Sequence, residues 1–104
     1  MNKRDFEPLH PGEVLLEEYL KPKGVSRNAL ALSMRVPAQR IGEIVQGRRA
    51  ISADTAIRLA KVIGTTPQFW LSLQMEYDLQ IAQQRIESNE GALLKNTQLR
   101  HQFN

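Results

Sequence analysis

The sequence predicts an all-α domain of five short helices. Apolar residues recur at spacings of three and four, the period of a helix with one buried face. Proline and glycine separate these segments, and serine, threonine or proline stands where each would begin. A chain of 104 residues holds one hydrophobic core. We expect an N-terminal arm over residues 1–9, one helical domain over residues 10–87 and a C-terminal tail over residues 88–104.

The residues that start and stop helices predict the bounds of the first two helices. Proline suits the first turn of a helix, because the N–H it lacks would have no intrahelical acceptor there, so helix one begins near Pro11. Pro22 and Gly24 are expected to end it. Ser26 is a good N-cap for a short second helix, whose inward face would comprise Ala29, Leu30 and Met34.

The third helix opens at Pro37 and stops at Gly47, with Ile41, Ile44 and Val45 on its inward face. Only about three residues, beginning at Arg35, separate it from the second helix. Two short helices joined in this way predict a helix-turn-helix.

Ser52 and Gly64 are expected to bound a fourth helix, and Thr66-Pro67 starts a fifth that runs to about Ile86. The fifth helix is more apolar than one buried face requires. Its first stripe comprises Phe69, Trp70, Leu73 and Tyr77. A second stripe is predicted to meet another chain, or alternatively to cover helix one, and comprises Leu71, Met75, Leu79, Ala82 and Ile86.

Basic residues concentrate in the middle of the chain. Eight lysines and arginines lie between Lys23 and Lys61 against only Glu43 and Asp54, a local net charge of +6 where the whole chain carries +3. Such a block can neutralise phosphates of a polyanion and release their counterions. The alternative is a solvated cationic face without a partner.

The outward face of the third helix is the predicted base-reading surface, formed by Ala38, Gln39, Gly42 and Glu43 with Arg40 at its margin. Gln39 matches the donor and acceptor of adenine in the major groove, and Arg40 could reach guanine or a phosphate. Glu43 could accept from cytosine, although a pair with Arg40 is favoured. Gly42 would permit close approach to bases, or is merely tolerated.

Flanking residues are predicted to hold the DNA backbone. Arg27 lies at the start of the second helix, and Arg48 and Arg49 follow the third, so these cations would bind phosphates on either side of the groove. The full predicted phosphate-binding set is Ser26, Arg27, Asn28, Arg35, Gln46, Arg48 and Arg49.

Enzyme and metal chemistry find no support in the sequence. The chain has no cysteine, and His10 and His101 lie at opposite ends without a cluster of acidic residues. We predict no catalytic residue, metal or cofactor. No stretch approaches the roughly 20 apolar residues that a membrane span requires, so we expect a soluble, cytoplasmic protein.

Five segments resemble one protein family in this order over residues 10 to about 77. They read HPGE at 10–13, SRNALA at 26–31, RIGEIVQGRR at 40–49, ISADTA at 51–56 and TPQFWLSLQ at 66–74. Together they are similar to the HigA antitoxins, within the Xre and lambda-repressor-like helix-turn-helix proteins. Two positions depart from the pattern, namely Arg35, where glycine is frequent, and Arg27, where glutamine is frequent.

The resemblance implies a five-helix lambda-repressor-like fold and a homodimer that reads a palindromic operator in double-stranded DNA. It also implies a HigB-like toxin partner that cleaves messenger RNA, and autorepression of the shared operon. A stand-alone regulator without a toxin is the alternative. An interaction adaptor that no longer binds DNA, or a toxin nuclease, is disfavoured by the local charge and the absence of catalytic groups.

Overall fold

The computed structural model describes residues 7–89 and 97–103, and every regular element in these two ranges is a helix. Helix α1 covers residues 11–23 in three consecutive segments, which are α-helical Pro11–Val14, π-helical Leu15–Leu20 and α-helical Lys21–Lys23. Then follow α2 (Arg27–Met34), α3 (Ala38–Val45), α4 (Ala53–Ile63), α5 (Pro67–Asn89) and α6 (Thr97–His101).

The all-α prediction is confirmed, and its five helices correspond to α1–α5. Helix α6 is an additional short element within the predicted tail. Most of the predicted arm, residues 1–6, lies outside the described residues, as do residues 90–96 and 104 of the tail. No described helix is long and apolar enough to cross a membrane.

The prediction that Pro22 ends the first helix is wrong. Pro22 lies within the last α-helical turn, and Gly24 ends α1 in the left-handed region at φ 64°. Directly before the proline the backbone forms a π turn, in which the Lys21 N–H bonds to the carbonyl of Leu16, five residues back. A proline ring clashes with the carbonyl four residues earlier in a regular α-helix, and the wider turn relieves that clash.

Three predicted helix starts are confirmed by side-chain caps. Ser26 Oγ accepts from the Ala29 N–H at 3.0 Å, and Ser52 Oγ accepts from the Thr55 N–H at 3.2 Å. Thr66 Oγ1 accepts from the Phe69 N–H at 3.1 Å. Each bond satisfies a donor that the helix leaves unpaired at its start, so the local sequence fixes where α2, α4 and α5 begin.

The turn between α2 and α3 gives the two helices their relative orientation. Arg35 occupies it in the left-handed region, at φ 59°, and Pro37 is the N-cap of α3. On α2 the buried small residue is Ala31, whereas Ala29, which was expected to face inward, is exposed. Leu30, Ala31 and Met34 are the buried residues of α2, and the turn of about 100° per residue places Ala29 on the opposite side.

Helix α1 crosses the back of α3 at backbone contact. Gly12 is buried, and a Cβ atom at this position would lie 1.7 Å from the Ile44 carbonyl oxygen. Ile41 and Ile44 of α3 are fully buried beside Leu15 of α1 and Trp70 of α5 in one core cluster. The inward set predicted for α3 is therefore confirmed, and α3 is held by its whole inner side.

Helix α5 contributes Trp70 and Leu73 of its first stripe to the core, whereas Phe69 of that stripe is exposed. Trp70 is fully buried, and its indole N–H donates to Thr65 Oγ1 at 2.7 Å. Leu73 and Tyr77 are half-buried, while Phe69 lies at the surface edge of the indole ring. The helix continues to Asn89, three residues beyond the predicted end, and none of residues 79–89 is buried.

Candidate nucleic-acid interface

Helix α3 presents a polar, unobstructed outer side. Ala38 and Gln39 are exposed, and Gly42 and Glu43 are partly exposed. A Cβ atom at Gly42 would have no neighbour within 4 Å. Because Ala38 and Gly42 are small, the helix surface between them forms a shallow strip. Longer side chains project only on either side of this strip. This strip can approach a surface as closely as an α-helix backbone allows.

The charged residues on and after α3 pair differently from expectation. Glu43 Oε1 bonds Arg49 Nε at 3.0 Å, and its other oxygen accepts from Gln39 Nε2 at 3.4 Å. Arg40 Nη1 instead bonds Asp54 Oδ2 of α4 at 3.3 Å. The predicted Arg40–Glu43 pair is therefore wrong, because tertiary neighbours outcompete the i,i+3 contact.

The predicted phosphate-binding residues occupy both ends of the helix-turn-helix. Ser26, Arg27 and Asn28 are exposed at the start of α2. Gln46, Arg48 and Arg49 are exposed after α3, where Arg48 Nη2 donates to Gln46 Oε1. Arg35 is exposed in the turn. Cationic side chains thus flank the outer strip of α3 on more than one side.

His10 fastens the loop after α3 to the body of the domain. It is the N-cap of α1, and its Nδ1 accepts from the Gly12 N–H at 2.9 Å. The ring packs edge-on against Tyr77, 4.8 Å between centroids, and a Cβ at Gly47 would lie 3.8 Å from His10 Cγ. Burial lowers the pKa of His10, an effect opposed by the Asp78 carboxylate and a hydrogen bond with the Arg49 backbone.

Gln74 holds the same loop from α5. Its buried side chain accepts from the Ile51 N–H through Oε1 at 2.7 Å and donates to Asp78 Oδ1 through Nε2 at 2.9 Å. His10 and Gln74 together fix the backbone that carries Arg48 and Arg49. Sequence reasoning missed both roles, and the one available signal was the position of Gln74, four residues after Trp70 on the core face of α5.

The second apolar stripe of α5 divides into two parts. Met75 and Leu79 are 58% and 48% exposed, and Ala82 and Ile86 are partly exposed further along the helix. Leu71 is half-buried and packs against the core of its own chain. Met75 and Leu79, one turn apart, therefore form an exposed apolar surface. No cluster of potential metal ligands occurs among the residues that the structure describes.

A short capped helix, a tight turn and a second helix with a free outer side define a DNA-binding protein of the helix-turn-helix class. The helix-turn-helix family matches residues 16–70 of the chain. Virulence-associated protein I of Dichelobacter nodosus is 49% identical over 86 residues, which cover 83% of this chain and 80% of that protein. Antitoxin HigA-1 of Vibrio cholerae is 38% identical over 79 residues, covering 76% and 74%.

Among solved structures, the Pseudomonas aeruginosa antitoxin HigA with the higBA promoter superposes with a TM-score of 0.75. The two are 40% identical, and the match covers 86% of this chain and 92% of that one. This chain belongs to the HigA family of antitoxins. The resemblance carried by the five sequence segments, and the lambda-repressor-like fold that it implies, are thereby confirmed.

Proposed function

We propose that this protein is a sequence-specific DNA-binding repressor and the antitoxin of a toxin–antitoxin module. The observation that supports this proposal most directly is the outer side of α3, where Gln39 is exposed and the nearby Ala38 and Gly42 have little or no side chain. A family member of similar fold was solved with the promoter of its own operon, which supports autorepression. We place the protein in the cytoplasm, where its DNA would be, and assign it no catalytic role.

In this proposal α3 lies in the major groove and reads base edges through Ala38, Gln39, Arg40, Gly42 and Glu43. Gln39 carries most of the readout, because its amide can pair with the N6 and N7 atoms of adenine. Its bond to Glu43 is 3.4 Å long and easily exchanged for a base. Contacts of Ala38 and Gly42 with the groove are limited to close approach and the thymine methyl.

Gln39→Ala tests base readout. We expect the variant to lose about 1 to 3 kcal/mol of discrimination between the DNA upstream of its own operon and random DNA. Gln68→Ala, which removes an exposed glutamine at the start of α5, is the matched control. Fluorescence anisotropy on both DNAs measures the ratio, and an equal loss on both would contradict base reading by Gln39.

The backbone of the DNA would be bound by Ser26, Arg27, Asn28, Arg35, Gln46, Arg48 and Arg49. These contacts set the register of α3 in the groove without reading sequence. Arg48 and Arg49 stand on a loop that His10 and Gln74 hold in place, so little ordering is needed when they meet phosphates. Replacing both by alanine should reduce the slope of log affinity against log salt by about two units.

A homodimer would place two copies of α3 on the halves of a palindromic operator. We assign its interface to the second stripe of α5, formed by Leu71, Met75, Leu79, Ala82 and Ile86, with Met75 and Leu79 as its exposed centre. Leu79→Asp should shift the protein toward monomer in sedimentation analysis. Leu32→Asp, at an 81% exposed leucine of α2, is the control, and an unchanged profile for Leu79→Asp would exclude this interface.

The toxin partner is proposed from family membership, as a HigB-like protein that cleaves messenger RNA. Expression of the whole native operon, with a tag on this chain alone, tests the partner directly. Co-purification of the neighbouring gene product supports the antitoxin role. Its absence, together with intact binding to upstream DNA, would favour the alternative of a stand-alone regulator.

A further inference from the structure

A cleft of about 580 Å³ lies between the turn, α3 and the start of α4. Arg35, Arg40, Arg49 and Arg58 line it, and the only carboxylate among its lining residues is Asp54. Four guanidinium groups and one carboxylate give the lining a net charge of +3. Phosphate is an anion that guanidinium groups bind well, because each group presents paired N–H donors that match two of its oxygens.

Two arginines of the cleft, Arg58 and Arg40, are already held in place. Arg58 Nη1 donates to the Met34 carbonyl at 3.1 Å, and its Nε donates to Asp54 Oδ2 at 3.0 Å. Arg40 bonds the same carboxylate oxygen at 3.3 Å. One carboxylate oxygen of Asp54 therefore accepts from two arginines. These hydrogen bonds are accessible to solvent, since the Arg58 side chain is 41% exposed. The two non-bridging oxygens of a DNA phosphate share one negative charge, as the carboxylate oxygens do, and can accept from the same guanidinium N–H groups.

Arg35 adds an independent observation. Its φ of 59° makes it the one described residue other than glycine with a left-handed backbone. That conformation is unfavourable for a side chain with a Cβ atom, and strained residues of this kind concentrate at binding sites. Here Arg35 is the left-handed C-cap of α2, and this turn places it among the lining residues of the cleft.

With α3 in the major groove, as proposed above, the cleft would face the wall of that groove. It borders α3 along its flank, with Arg35 before the helix and Arg49 after it. An α-helix with its side chains is about 10 to 12 Å wide and the major groove about 12 Å, so the flanks of a bound helix face the phosphates of the groove wall.

We infer that this cleft binds a phosphate group of the DNA backbone, with Arg58 as its anchor and Arg35 beside it. Asp54 takes the place of that phosphate while the protein is free of DNA. The inference rests on the proposed function and extends it to Arg58, a residue of α4 outside the predicted helix-turn-helix contacts.

The test compares charge and hydrogen-bonding at Arg58. Arg58→Gln should lower the slope of log affinity against log salt by about 0.9, the value for one lost phosphate contact on duplex DNA. Arg58→Lys keeps the charge and should retain most of the slope. Lys61→Gln removes a charge from the same helix outside the cleft and should leave the slope unchanged. Melting temperatures measured on each variant separate binding from folding.

Arg35→Gly separates the effect of the Arg35 backbone conformation on stability from the effect of its side chain on DNA binding. Glycine adopts the left-handed region freely, so the melting temperature should rise, while the salt slope should fall. A structural role alone would move only the melting temperature. A rise in stability with an unchanged slope would remove Arg35 from the cleft.

A free anion could present the same chemistry as a DNA phosphate. Titration of the DNA-free protein with inorganic phosphate, followed by NMR at the arginine side chains, distinguishes the two sources. Binding of free phosphate with no slope change in Arg58→Gln would overturn the inference. So would an unchanged Arg58→Gln slope when Arg48→Ala, a change outside the cleft, lowers the slope by about 0.9. That pattern would leave the proposed function intact. Failure of the unaltered protein to bind its upstream DNA would instead overturn the proposed function.

Discussion

A glycine lies at the inner side of α3 and another at its outer side, and the two differ in the space that surrounds them. At the inner side Gly12 of α1 touches the backbone of α3, since a Cβ there would lie 1.7 Å from the Ile44 carbonyl oxygen. At the outer side Gly42 would have free space within 4 Å of a Cβ. The first glycine is required by contacts within the fold. The second has no such requirement within the described fold, which is what the proposed close approach to DNA bases predicts.

The same contrast extends to the polar groups on each side. His10 and Gln74 behind α3 are buried, and each makes a fixed set of hydrogen bonds to the backbone. Gln39 and Glu43 in front are accessible and bonded to each other or to Arg49. The polar groups that position the helix thus have buried partners inside the fold, whereas the polar groups proposed to contact DNA have exposed partners that can be exchanged.

Gly12→Ala should have the largest effect, because it forces α1 and α3 apart. We expect a loss of more than about 3 kcal/mol in the free energy of unfolding, at the upper end of overpacking effects. Urea denaturation followed by circular dichroism measures it. A stability within about 1 kcal/mol of the unaltered protein would show that the two backbones do not meet at Gly12.

Gly42→Ala should act in the opposite direction on stability. Alanine in a helix interior is about 1 kcal/mol more favourable than glycine, and no neighbour of Gly42 obstructs the added methyl group. DNA affinity should nevertheless fall by about tenfold, since the methyl group holds α3 away from the bases. The measurements are urea denaturation and a gel shift. Improved stability with unchanged DNA affinity would show that Gly42 is tolerated in α3 without a role in DNA binding.

The smallest effect is expected from the titration of His10, because only one side chain changes charge. Burial lowers its pKa below 6.5, so the neutral form is favoured in the folded protein. Its contribution to stability is complete above pH 6.5 and is lost as the pH falls through the lowered pKa. His10→Gln should therefore reduce the loss of stability between pH 7.5 and acidic pH.

His101→Gln is the matched control for that pH dependence. This histidine is exposed on α6, and its replacement should preserve the acid sensitivity of the unaltered protein. Thermal unfolding over a pH series compares the two variants. Identical profiles for His10→Gln and His101→Gln would contradict a buried neutral histidine behind α3.

The exposed outer side of α3 was largely predictable from the sequence, and the buried contacts that support α3 from behind were not. The outward strip of α3 follows from a 100° turn per residue once Ile41, Ile44 and Val45 are placed inward. The role of Arg58 required the fold, because its partner at Met34 lies 24 residues away. The π turn before Pro22 was also unforeseen, since a proline normally indicates a helix end.

The amino-acid sequence alone determined where the helices begin, which faces are apolar and where positive charge concentrates, because caps, helical period and local charge depend on residues within a few positions of one another. Tertiary structure decided which groups meet across longer separations. Arg40 pairs with Asp54 at a distance of 14 residues and Gln74 with Ile51 at 23. Such partners are selected by how helices pack, and no spacing in the sequence records that choice.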